Sequence, residues 1–78
     1  MTTATAQVFG ETALGNRYGF YTETNEAGKK DGISLRFCIA ADYSLTVNHG
    51  YVFENGTPKE PFTGKVPEKA LKTIANAM

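Results

Sequence analysis

An α+β fold is what this sequence predicts: a four- to five-stranded antiparallel sheet with one C-terminal α-helix packed on one face. Three observations carry that expectation. Short segments rich in Val, Ile, Thr, Tyr and Phe recur between Gly and Asn turn signals. One of them, Ile33 to Ile39, alternates strictly between apolar and other residues. Over the last dozen residues the apolar period changes from two to 3.6, so that Leu71, Ile74, Ala75 and Met78 fall on one helical stripe. At 78 residues the chain has room for a single domain, residues 1–78, with a thin core.

Thr3 to Phe9 has strand composition but weak alternation, which leaves its pairing open. Gly10, Gly15 and Asn16 then punctuate a loop. Arg17 to Glu23 reads as a second strand, with Tyr18, Phe20 and Thr22 assigned to the core face and Arg17, Tyr21 and Glu23 to the other. Within it, Gly19 marks a bulge or a close backbone approach. Asn25 to Gly32 is a charged connection with two glycines, forming a mobile hairpin tip.

Ile33, Leu35, Phe37 and Ile39 place four large apolar side chains on one face, which makes this segment the central strand. Tyr43 to Val47 and Tyr51 to Glu54 form the next hairpin in one of two registers. A two-residue loop at His49-Gly50 sends Tyr51 and Phe53 to the polar face. A three-residue loop with a left-handed Gly50 keeps them inward, and the apolar pattern favours it. Asn55-Gly56 is a further turn, and Pro58 and Pro61 allow at most an edge strand after it. Pro67 opens the helix and Glu68 suits the positive end of its dipole.

Composition excludes more than it assigns. Eight basic residues balance eight acidic ones, so direct nucleic-acid binding and acidic mimicry of nucleic acid are both disfavoured, with a local patch left open. One Cys and one His cannot make an internal disulfide or a zinc site, and no cofactor motif occurs. No apolar run approaches a membrane span and no basic, apolar leader opens the chain, so a reducing cytoplasmic location is expected.

Candidate chemistry is sparse. His49 is the residue suited to proton transfer near neutral pH, but no nucleophile is spaced to meet it, and a turn position explains it as well. Cys38 lies on the face opposite the core residues with Arg36 beside it, yet a small hydrophobic side chain under a loop or the first strand is the favoured account of it. Lys65, Lys69 and Lys72 line one side of the helix as phosphate contacts or as a solvated face. The polar sheet face, with Ser34, Arg36 and Thr46, has the residue types of a protein-binding surface or of an ordinary solvated face.

These readings lead to a non-enzymatic protein-binding module. Tyr21 and Arg36 are the expected anchors, with Tyr51 as a third if the hairpin takes the two-residue loop, and Lys29 and Lys30 as rim contacts. The short length, the Tyr- and Thr-rich strands and the single helix ending at Met78 give the whole chain a resemblance to phage-encoded anti-CRISPR proteins. No motif carries the resemblance. It implies an inhibitor, acting in the host cell, that binds a CRISPR surveillance complex and blocks target DNA. Two other classes stay open: a nucleic-acid-binding domain that stacks bases on Tyr18, Phe20 and Tyr21, and a phage structural subunit or homodimer that self-associates through a sheet edge.

Overall fold

The computed structural model describes residues 3–78. Five strands, β1 (Thr3–Glu11), β2 (Arg17–Thr24), β3 (Lys30–Ile39), β4 (Leu45–Glu54) and β5 (Thr57–Pro61), form one antiparallel sheet in sequence order, and α1 (Glu68–Asn76) follows. The expected α+β architecture is the one observed. β3 lies in the middle of the sheet, and its alternation dictates the inside: Leu35, Phe37 and Ile39 are buried, and Ile33 packs against them. Burying side chains of this size contributes about 1.5 to 3 kcal/mol each, which is a large share of what a chain this short can gather.

β5 lies at one edge of the sheet, whereas α1 sits over β1 and β2 on the other side. The connection between them therefore crosses the inner face. Phe62 and Val66 pack against the core from this crossing, and the Phe62 N–H donates to the Gly50 carbonyl at 2.9 Å. The helix buries Ala70 and Ile74. It has no side-chain cap at Pro67 and no basic residue in its last turn, so the docked apolar stripe has to hold it.

Two expectations are corrected by the strand registers. In β2 the faces are reversed: Tyr21 pairs with Leu35 and is fully buried, whereas Tyr18 and Phe20 lie on the outer face, 49% and 41% exposed. Gly19 makes the reversal possible. It pairs with Phe37, and a Cβ there would come within 3.0 Å of the Phe37 ring and collide with the Gln7 carbonyl of β1. A side chain at position 19 would hold the strands apart, so the residue set containing Gly19 has to face the crowded interior.

The second correction concerns residues 43–54. No turn occurs at His49-Gly50, because β4 runs through both. The chain reverses earlier, between Ala40 and Ser44, where the Ala40 N–H donates to the Ser44 carbonyl at 2.9 Å and Tyr43 takes a left-handed φ of 68°. Asp42 Oδ1 accepts from the Ser44 hydroxyl at 2.7 Å and from its N–H at 3.0 Å, and these bonds hold the carboxyl below its ordinary pKa. Gly50 serves packing rather than turning. A Cβ there would lie 2.8 Å from Leu35 Cδ2 and 3.2 Å from Phe62 Cβ.

The remaining punctuation follows the sequence more closely. Asn55 and Gly56 both adopt left-handed φ, 47° and 89°, as a tight hairpin turn requires. The connection after β2 shortens to Asn25–Lys29, since Lys30 already belongs to β3, and Asn25 Oδ1 accepts the N–H groups of Ala27 and Lys29. Asn25 Nδ2 also donates to Asn55 Oδ1 at 3.0 Å, which ties the two turns at this end of the sheet together. Among the described residues no helix is long and apolar enough to cross a membrane.

Candidate functional site

Since α1 and the crossing segment occupy one face of the sheet, the other is left uncovered, and a β-bulge in β4 decides much of what stands on it. In β4 the register gains one residue at Asn48, between Val47 opposite Phe37 and His49 opposite Arg36. Leu45 and Val47 point inward before that residue. Beyond it the parity inverts, so Gly50 and Val52 take the inner positions while His49, Tyr51 and Phe53 turn outward. In β1 the alternation that turns Ala4, Ala6 and Val8 inward carries Phe9 to the outer face beside Phe20, and the extra residue there sets Gly10 opposite Tyr18.

The outcome is a row across four strands, Gln7, Phe20, Arg36 and His49, each opposite the next. The Arg36 guanidinium carbon lies 5.0 Å from the Phe20 ring centroid. Phe9 meets Phe20 edge-on at 5.2 Å, and His49 meets Tyr51 in the same way at 5.5 Å. Lys30 Nζ stands 5.0 Å from the Phe53 centroid. At an exposed site such cation–ring contacts contribute only about 0.5 to 1 kcal/mol, so the cations exchange readily onto another partner.

Two shallow hollows share Phe20 and Arg36 in their walls. One is completed by Phe9, Tyr18 and Asn48, the other by Lys30, Ser34, His49, Tyr51 and Phe53. Neither wall contains a carboxylate.

The structure brings three of the expected site residues together on this face: Arg36, Tyr51 and Lys30. Lys30 arrives as a strand residue rather than as part of the loop tip. Lys29 stands at the end of the sheet, in the turn beside Gly56. Tyr21 is elsewhere. Its ring is buried among core residues and its hydroxyl donates to Glu23 Oε2 at 2.7 Å, so the expectation of an exposed Tyr21 anchor is corrected. Burial and the neighbouring carboxylate push its phenol well above the usual tyrosine pKa.

Phe9, Tyr18, Phe20, Phe53 and His49 are the face residues that the sequence reading placed elsewhere or left conditional. The available signal was the rings at both parities of β2 together with Tyr51 and Phe53 in β4. More rings alternate there than one thin core can absorb.

Cys38 also lies on this face, opposite Tyr18 and Thr46, one row away from the pairing of His49 with Arg36. Among the described residues no three His, Cys, Asp or Glu side chains come together as metal ligands. The arrangement can stack flat groups, hydrogen-bond through Ser34, Asn48 and His49, and pair anions with Arg36 and Lys30. No protein-family model matches the chain, and no curated protein or solved structure matches it.

Proposed function

We propose that the protein is a non-enzymatic binding module that holds its partner on the open face of its sheet. One observation carries this reading: Phe9, Tyr18, Phe20 and Tyr51, each 38% to 49% exposed, stand on one face around Arg36. Keeping rings in contact with water costs free energy that burial against the helix would recover, and a contiguous patch of them marks an interaction surface. The strands fix these side chains before a partner arrives, which limits the entropy lost on binding. Aromatic and Arg side chains are also the types that dominate binding energy. An inhibitor of the kind that the anti-CRISPR resemblance implies, seated on a host surveillance complex, would use this same face.

The test is affinity capture from host lysate with three proteins: wild type, Phe20→Thr with Tyr51→Thr, and Lys69→Glu with Lys72→Glu. Threonine suits a strand and leaves the core untouched, so the face variant keeps its melting temperature. The expected result is that species captured by wild type are retained by the helix variant and lost by the face variant. The opposite pattern would move the working surface to the helix and overturn the proposal.

A further inference from the structure

We infer that the occupant of the open face is a single-stranded nucleic acid, with bases stacked on the exposed rings and phosphates paired with Arg36 and Lys30. This rests on the reading of that face as the binding surface and names its ligand.

Charge is the first argument. The chain is neutral as a whole, but the charged residues lining the two hollows of the open face are cations alone. Glu23 is held by the Tyr21 hydroxyl and the Ile33 N–H. Glu54 pairs with Lys59 at 3.6 Å, Glu68 pairs with Lys72 at 3.6 Å, and Asp42 is bound into the turn after β3. None of these carboxylates enters the two hollows, whose charged lining residues are Lys30 and Arg36. Zero net charge argues against nucleic acid only where the binding surface is itself neutral, and these hollows carry cations without carboxylates. The face complements an anion.

Ring chemistry narrows the class of anion. An acidic peptide would satisfy Arg36 and Lys30 but would offer little flat surface to Phe9, Tyr18, Phe20, Tyr51 and Phe53. A base presents a π-face to any of them, and stacking tolerates every sequence. In a duplex those faces are already stacked on neighbouring bases, so an unpaired strand is required. Each cation sits over a ring, 5.0 Å from Phe20 or Phe53, through a weak contact at an exposed site. When a strand arrives, the cation moves to a phosphate and the ring is freed for a base.

The experiment titrates the protein with labelled oligonucleotides of about a dozen nucleotides and reads fluorescence anisotropy. Its arms are single-stranded DNA, single-stranded RNA and duplex DNA. Tyrosine emission gives a second readout, because the chain has no Trp and Tyr18 and Tyr51 lie on the face.

Micromolar binding of one or both single strands at low salt, with quenched tyrosine emission and weaker duplex binding, is the expected result. Each phosphate contact on a single strand contributes about 0.7 to the log–log salt slope, so two contacts predict about 1.4, or a loss of about sevenfold for a fourfold rise in salt. Phe20→Thr should weaken binding about tenfold or more, and Arg36→Gln should weaken it while lowering the slope by about 0.7. Arg36 is exposed, so that variant remains informative even if Phe20→Thr folds poorly.

Absence of single-strand binding at low salt, while the face variant still loses its captured protein, would overturn the nucleic-acid assignment and leave the binding face standing. Equal affinity for duplex would overturn it too, as would binding abolished by Lys69→Glu with Lys72→Glu but retained by Phe20→Thr. Retention of both the oligonucleotide and the captured species by the face variant would remove the binding face itself.

Discussion

The Tyr21 hydroxyl donates to Glu23 Oε2 at 2.7 Å from a ring with no solvent exposure, and Glu23 Oε1 accepts the Ile33 N–H at 2.9 Å. One carboxylate thus joins the buried face of β2 to the backbone of β3. Lys69 of the helix stands 4.0 Å from the same group. This cluster sits where two strands and the helix meet. It explains how a tyrosine can occupy a thin core without leaving its polar end unpaired.

That bond predicts an alkaline weakness. The folded-state pKa of Tyr21 is raised, so its contribution is fully present below the unfolded value of about 10 and is lost as pH rises toward the folded one. In that window the loss is about 1.4 kcal/mol per pH unit. Tyr21→Phe should be less stable at neutral pH by about 1 to 3 kcal/mol and should decline correspondingly less between about pH 10 and 12. Denaturant melts across this range check it. Parallel curves for the two proteins would reject a raised phenol at this site.

β3 predicts a large truncation cost. Leu35→Ala and Phe37→Ala should each destabilise by about 2 to 5 kcal/mol, since both side chains are essentially inaccessible. Thermal melts that leave either protein unchanged would contradict the central position of this strand.

Two glycines predict graded steric costs. At Gly19 a methyl group would strike the Gln7 backbone, which the β1–β2 ladder holds in place, so Gly19→Ala should cost at least about 2 kcal/mol. At Gly50 the obstructing atoms belong to the side chains of Leu35 and Phe62, which can shift, so Gly50→Ala should cost about 1 kcal/mol. Urea titrations of the two variants would show whether the order holds.

Tyr43 predicts a stabilising change. It is 73% exposed and holds a left-handed φ of 68° in the turn between β3 and β4. Asn tolerates that conformation far better than Tyr, so Tyr43→Asn should raise stability by up to about 1 kcal/mol. An unchanged or lower melting temperature would show that the Tyr43 ring makes compensating contacts.

Local periodicity in the chain was enough to settle several parts of this protein. The alternation of Ile33, Leu35, Phe37 and Ile39 placed β3 at the centre and set its inner face, because any one-residue slip would expose all four. The 3.6-residue period of Leu71, Ile74, Ala75 and Met78 located the helix, although the residues it buries are Ala70 and Ile74 and the other three stay exposed. Asn55-Gly56 defined the last hairpin turn, because the φ values there favour those residues. Arg36 was legible as a face residue for the same reason as β3.

Tertiary structure decided the rest. β2 carries aromatic rings at both parities, so its own pattern could not say whether Tyr21 or Phe20 was inside. That choice belonged to Gly19, which alone lets Phe37 and the Gln7 backbone approach so closely. Tyr51 and Phe53 reached the open face through the extra residue at Asn48, whereas Phe9 follows the ordinary alternation of β1. A bulge is a property of two paired strands, one holding an extra residue against the other. Its effect, inverting the parity of everything beyond it, becomes readable only once the partner strand is in place.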